Sequence, residues 1–394
     1  MNLKSLFKKE KDLMAIDFCE GNLVVAKFSY ENGIVLRDFK TVRCSHSYED
    51  LTIIEPANAL KDVIKGGIND YRNARICIDD QMVFPRFITL PPIAEDKLQQ
   101  IVRYEAEQNV PFPIEEVAWD FHINSSNPSA VTALIVAVKN DNIDNILSQT
   151  QAVRIKAKSI SPRTISILNS VRSNLGSIYD IDYSYIVMDI GERSTSIIFI
   201  ENNKFFIRSI PVGCNTIVQE LSKHLDIPFA DAEAIRMSHN NIPLEDVPVG
   251  DTSTGAVVHK NTRNVMTRLH AELNRSINFY RSQQKGSIPS NIWITGLGSK
   301  ISGMSEFFSD KTKVTTSIFD PFGKMISYPS IIGSNVRDYK YTLHGVVGLA
   351  LQEYTRDLVN INLIDPSKVR KIKKPEIRTN ATYGCRRNCP FRKC

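Results

Sequence analysis

An aspartate at a strand end, a tight glycine turn and a small hydroxyl pair form a set that can handle phosphate. Residues Ile186-Val187-Met188-Asp189-Ile190-Gly191-Glu192-Arg193-Ser194-Thr195-Ser196 contain that set, and β-branched residues flank the turn. Backbone N–H groups and hydroxyls at such a corner can aim at phosphate oxygens, and the aspartate can hold a hydrated Mg²⁺. An isolated Asp-x-Gly is also an ordinary hairpin turn that binds nothing. A degraded second copy near the start of the chain, beginning at Asp17, favours the ligand reading. If a nucleotide is bound, its residues are Asp17, Gly21, Asp189, Gly191, Ser194 and Thr195, with Gly213 ahead of a helix-like segment. Mg²⁺ would then sit at Asp17 and Asp189. The strand Asn291–Thr295 runs into a further glycine turn, Gly296, Gly298 and Ser299, where a ligand can approach the backbone at a helix start. Without the other turns it reads as a tight strand–helix connection.

The elements that would position these residues follow from hydrophobic patterning. Strands are expected at Leu13–Phe18, Asn22–Tyr30, Ile34–Cys44 and Arg75–Ile78, with a helix over Tyr48–Gly66. Strand–turn–strand–strand–helix–strand, with an aspartate at the first turn, recurs around Asp189, and Lys204–Ile210 supplies its third strand. Between the halves, Glu95–Gln108 suits an amphipathic helix closed by Pro111 and Pro113. Val131–Lys139 suits a strand, and Asp141–Val153 and Arg163–Leu175 suit helices. A long helix is expected over Thr262–Gln284.

Composition narrows the class. The 394 residues can bury a large core in two or more units, and 42% hydrophobic and 23% charged residues are ordinary for a soluble protein. No apolar run reaches the roughly 18 residues of a spanning helix, and the N-terminus lacks a secretory signal. Seven scattered cysteines without a CxxC pair suit a reducing, cytoplasmic compartment. The net charge of +6 is local: Pro366–Cys394 holds ten Lys/Arg against one Glu, leaving −3 for the rest. A nucleic-acid binder is therefore disfavoured, and the tail reads as a disordered basic extension. Its Cys385, Cys389 and Cys394 lack a standard zinc spacing. Residues 1–11 place Leu3, Leu6 and Phe7 on one face amid lysines, a short segment that reads as a solvated end or a membrane-surface contact.

Phe84-Pro85-Arg86 through the helix with Arg103-Tyr104-Glu105-Ala106-Glu107-Gln108, and then Val110-Pro111-Phe112-Pro113-Ile114-Glu115 to Asp120-Phe121, closely resembles a run found in the PilM family of type IV pilus assembly proteins. The stretch Glu272-Leu273-Asn274-Arg275-Ser276-Ile277-Asn278-Phe279-Tyr280 is similar to another of its helices, and Gly348-Leu349-Ala350-Leu351 to its closing helix. The resemblance covers nearly the whole chain. It implies an α/β, two-lobed actin-like (ribonuclease-H-like) fold with an inserted PilM-type subdomain. Domain I would comprise 12–82, 155–182 and 337–365, the insert 83–154, and domain II 183–336, between end segments 1–11 and 366–394.

The resemblance also implies ATP and Mg²⁺ as cofactors, with Glu272 and Arg275 near the adenosine. It implies a groove beside the insert for the short cytoplasmic tail of a PilN-like membrane protein, with Tyr104, Phe112 and Phe121 as apolar walls. Val359-Asn360-Ile361-Asn362-Leu363-Ile364 resembles that partner's peptide, so Ile361, Asn362, Leu363 and Ile364 are expected to occupy such a groove in this chain or a neighbour. The first phosphate turn departs from the family: Cys19 replaces a glycine, Glu20 a serine and Val24 a lysine. Glu20 and Glu192 would oppose a triphosphate. The chain is thus expected to act as a cytoplasmic scaffold peripheral to the inner membrane, contacting other pilus platform or motor components and a possible second copy of itself, with weakened nucleotide binding and no catalytic residues. The rival expectations are an active ATPase and an FtsA-like membrane-associated filament former.

Overall fold

In a computed structural model the described residues are 12–19, 21–43, 56–65, 73–92, 95–127, 130–175, 184–201, 204–245, 248, 250–323, 326–355 and 358–364. The expectations for residues 1–11, for the basic tail with its three cysteines, and for the first part of the 48–66 helix lie outside them.

Two sheets of matching topology form the lobes. The first contains β1 (Asp12–Cys19), β2 (Asn22–Tyr30), β3 (Ile34–Arg43), β4 (Asn73–Ile78), β8 (Lys156–Pro162) and β14 (Ile326–Ser327), in the order β14-β3-β2-β1-β4-β8. The second contains β9 (Ser184–Ile190), β10 (Thr195–Glu201), β11 (Lys204–Ile210), β12 (Asn291–Thr295) and β13 (Thr315–Ile318), in the order β11-β10-β9-β12-β13. In each, two antiparallel pairings lead into two parallel ones, so β3-β2-β1-β4-β8 and β11-β10-β9-β12-β13 are copies of one unit. β2 and β10 are buried along nearly their whole lengths, as strands covered on both faces must be. This is the two-lobed actin-like architecture that the resemblance implies.

The insert is a three-stranded sheet with β5 (Val83–Leu90) and β6 (Val117–Asn127) flanking β7 (Ala130–Lys139). Both its faces are apolar. Val117, Val131, Ala133, Ile135 and Ala137 pack with α2 (Glu95–Asn109), while Ala118, Leu134, Val136 and Val138 join the core of the first lobe.

The chain also forms α1 (Pro56–Lys65), α3 (Asn140–Ala152), α6 (Phe229–Ser238), α8 (Met304–Thr312) and α9 (Gly333–Tyr339), and helix α4 (Arg163–Leu175) holds the molecule together. It is buried over almost its full length and shares a core with Val187, Ile198 and Phe205 of the second lobe. Against it lies α10 (His344–Tyr354), apolar nearly all round and therefore buried. A Cβ at Gly348 would overlap the Ser166 backbone, so the two helices meet backbone to backbone.

Two boundaries differ from expectation. The chain rejoins the first sheet before residue 337, since Ile326 and Ser327 pair with Ile34 and Val35; two residues are too few to carry a periodic signal. The long helix α7 begins at Thr254, where Ser253 accepts a hydrogen bond from the Ala256 amide as its N-cap.

Candidate functional site

The two copies of the folding unit bring their aspartates face to face. Asp17 stands near the end of β1 beside Val24 and Cys77; Asp189 stands near the end of β9 beside Ser196 and Thr295, the equivalent place. Both are buried. Between them stands Arg163, which sequence reasoning did not single out. Its Nε donates to Asp17 Oδ2 at 3.0 Å and its Nη1 to Asp189 Oδ2. A cation on the first residue of a helix opposes the helix dipole, so the flanking carboxylates must hold this guanidinium in place. Burial raises the Asp189 carboxyl, with Arg163 pulling the other way and Asp17 adding to the rise.

Two more carboxyls lie beside the pair. Asp80 accepts from the Thr164 amide at 3.1 Å, from the Thr164 hydroxyl, and from Ser196 Oγ at 3.3 Å. It thereby caps the first turn of α4, and loss of water pushes it up to about 7. Asp79 is pushed up to about 6, again chiefly by loss of water.

The phosphate-type turns are stitched to the protein itself. The Gly191 amide donates to Ser194 O at 2.9 Å, and the Thr195 hydroxyl to Val212 O at 2.6 Å. The first amides of α5 (Cys214–Leu225), which follows Gly213, donate to Gly191 O and Glu192 O at 2.9 and 2.7 Å. Those groups are already used. Gly21 adopts φ +67°, and a Cβ there would collide with the Glu192 carboxylate, so this acidic side chain fills the approach to the first turn. Gly296, φ +76°, admits the Asp189 carboxylate in the same way, and Gly298 the Ile190 side chain. Ser299 Oγ donates to Gly296 O at 2.7 Å. A cavity of about 40 Å³ lies among Asp80, Arg163, Asp189, Glu192, Leu297 and Tyr341, room for about three waters.

Asp17, Gly21, Asp189, Gly191, Ser194, Thr195, Gly213, Gly296, Gly298 and Ser299 are therefore brought together. Glu272 and Arg275 pair with each other on α7 and are not among the residues lining that cavity. As the side chains stand, the residues do not fit a magnesium triphosphate. A guanidinium occupies the place between the aspartates, and a carboxylate covers the first turn. Across the cleft, the buried His344 at the start of α10 bonds the Thr295 hydroxyl through Nε2; burial holds it neutral, with its pKa lowered to about 3.

A second site lies further along α4. Residues 358–364 run as an extended segment between the first lobe and the insert, with Val359, Ile361 and Leu363 fully buried. The Asn169 side chain acts like a neighbouring strand: Nδ2 donates to Val359 O at 2.8 Å and Oδ1 accepts from Val359 N at 3.0 Å. The Leu363 amide donates to Ile160 O at 2.8 Å, and the Asn362 amide to Asp120 Oδ2 of β6 at 2.8 Å. Asn362 Oδ1 accepts from the Ile160 and Ile364 amides at 3.3 and 3.2 Å. Ile361, Asn362, Leu363 and Ile364 thus fill a slot in their own molecule.

The three expected aromatic walls do not border this slot. Side chains alternate along β6, so Asp120 faces the segment while Phe121 faces α2 and stacks with Trp119. Phe112 packs edge-on against Phe84 at 4.9 Å beneath the Lys139 ammonium. Tyr104 stands on the outer surface of α2, 61% exposed.

Comparison with known proteins places this architecture. The PilM-PilN type IV pilus biogenesis complex matches with a TM-score of 0.74 at 19% identity, covering 86% of this chain and 98% of that one. The ethanolamine utilization protein EutJ from Carboxydothermus hydrogenoformans matches at 0.47 and 14%, over 86% and 89% of the two chains. MreB5 of Spiroplasma citri bound to ADP matches at 0.41 and 12%, over 85% and 98%. The first of these carries the fold. A family model described as type IV pilus assembly protein PilM matches residues 45–354, most of the chain, and the chain belongs to that family.

Proposed function

We propose that this chain is a scaffold of the inner-membrane assembly platform of a type IV pilus or related secretion apparatus, and that it grips the short N-terminal cytoplasmic tail of a PilN-like membrane protein. The observation that carries this reading is the slot between the first lobe and the insert. It already holds an extended segment by burying alternate apolar side chains and by pairing main-chain groups with Ile160, Asn169 and Asp120. Those are the terms on which such a peptide is recognised. The name of the matched complex pairs that protein with PilN, which supports the same partner class here. Among the described residues no helix is long and apolar enough to cross a membrane. The nucleotide cleft, in this reading, is vestigial: Glu192 and Arg163 fill it.

Residues 358–364 then act as a resident occupant that an incoming tail must displace. The test is a calorimetric titration of a PilN-type peptide into the full chain and into a chain ended after Asp357. Higher affinity in the shortened chain supports self-occupancy; equal affinity removes it, and absence of binding to either removes the partner assignment.

A further inference from the structure

One side chain, that of Arg163, joins the two halves of the cleft. Two buried aspartates from the two lobes, set at equivalent ends of duplicated sheets, are the arrangement in which a divalent cation would be shared. Here the shared positive charge is covalently part of the protein. Arg163 reaches one carboxylate through Nε and the other through Nη1, so a single guanidinium spans both lobes. Its position is over-determined. Asp80 fixes the first turn of α4 through the Thr164 amide and hydroxyl, and the helix is buried on all sides. Gly345 leaves the room for Asp17, because a Cβ there would collide with its carboxylate.

We infer that Arg163 replaces the divalent cation of this cleft, clamping Asp17 to Asp189 so that the lobes stay closed without metal or nucleotide. The inference deepens the reading of the cleft as vestigial and supplies its physical cause. Arginine suits the role better than lysine: its planar fork can bond two carboxylates at once and never loses its charge. A further consequence follows from the charges. Removing the guanidinium leaves Asp17 and Asp189 facing each other, with Asp79 and Asp80 close by, and this oxygen-rich set is then free for a hard cation. The orphaned Oδ1 atoms of Asp17 and Asp189 would be available to it.

The test uses Mn²⁺ and Ca²⁺ as probes, with binding followed by Mn²⁺ electron paramagnetic resonance and by thermal shift. The full chain is expected to show no saturable cation site and no Ca²⁺-dependent change in melting temperature. Arg163→Ala is expected to acquire one site, binding Mn²⁺ at least tenfold more tightly than the parent, and Asp189→Asn in that background should remove it. Saturable Mn²⁺ binding by the parent that Asp189→Asn abolishes would overturn the inference. So would a folded Arg163→Ala that gains no site. Should that variant fail to fold, the parent measurement with and without Asp189→Asn decides alone. Metal-free ATP binding by the parent would end the vestigial-cleft reading and leave the clamp standing, so the two fail separately.

Discussion

The cleft and the slot are both filled by the protein itself, and both are served by α4, Arg163 at its start and Asn169 further along. They are filled by opposite kinds of interaction. In the cleft a buried cation is held by buried anions, an arrangement whose desolvation cost nearly matches its Coulomb gain and which tolerates no missing member. In the slot, three apolar side chains are buried and the segment's main chain bonds to Ile160, Asn169 and Asp120. On the proposed reading the first chemistry makes a permanent joint and the second an exchangeable one. That difference is why the partner is assigned to the slot and no ligand to the cleft.

The comparison is broken most severely at Arg163. Arg163→Ala should cost about 3–5 kcal/mol in urea unfolding, because it leaves buried carboxylates without compensation; a cost near zero would show that the aspartates do not depend on it. Leu363→Ala should cost about 2–5 kcal/mol by leaving a cavity at a fully buried position of the slot. It should also make the slot easier for a peptide to enter, which Arg163→Ala should not. Asp120→Ala removes the charged acceptor of the Asn362 amide and should cost about 1.5–3 kcal/mol, with a matching gain in access for a competing peptide.

The pH response sharpens the contrast further. The Asp80 carboxyl is raised from 3.8 to about 7, so the folded chain keeps a proton that the unfolded chain has lost between those values. On this account stability falls as pH rises through that window, by at most about 1.4 kcal/mol per unit, and Asp80→Asn should flatten it. Neutral His344 acts the other way, costing stability as pH falls below 6.5. Denaturant midpoints across pH 5–8 for the two chains check the sign, and an unchanged slope in Asp80→Asn would contradict it. The smallest effect is expected at Arg275→Ala. Its partner Glu272 lies three residues away on the helix surface, a pair worth about 0.2–0.5 kcal/mol.

How much of this was legible beforehand differs between the two regions. The duplicated lobes could be read because Asp17 and Asp189 each stand near the end of an apolar strand before a turn, and the slot segment because it resembles the partner's peptide, its Ile361 and Leu363 alternating with asparagine. Arg163 could not be read so easily. Pro162-Arg163-Thr164 looks like an ordinary solvated helix start; only the run of apolar and small residues that follows hints that the helix is buried all round. The expected aromatic walls lie away from this slot for a different reason. Alternation separates Asp120 from Phe121, but with both faces of the inserted sheet apolar it does not say which one meets the first lobe. The glycines of the cleft carried a similar ambiguity, since room for a phosphate and room for a carboxylate side chain require the same missing Cβ.

The most direct measurement is a titration of a PilN-type peptide into the chain ended after Asp357, made once alone and once with Mg·ATP. We expect saturable binding with the same affinity in both, because the slot does the gripping and the clamped cleft takes no part. Binding that required Mg·ATP, or strengthened tenfold in its presence, would contradict the account.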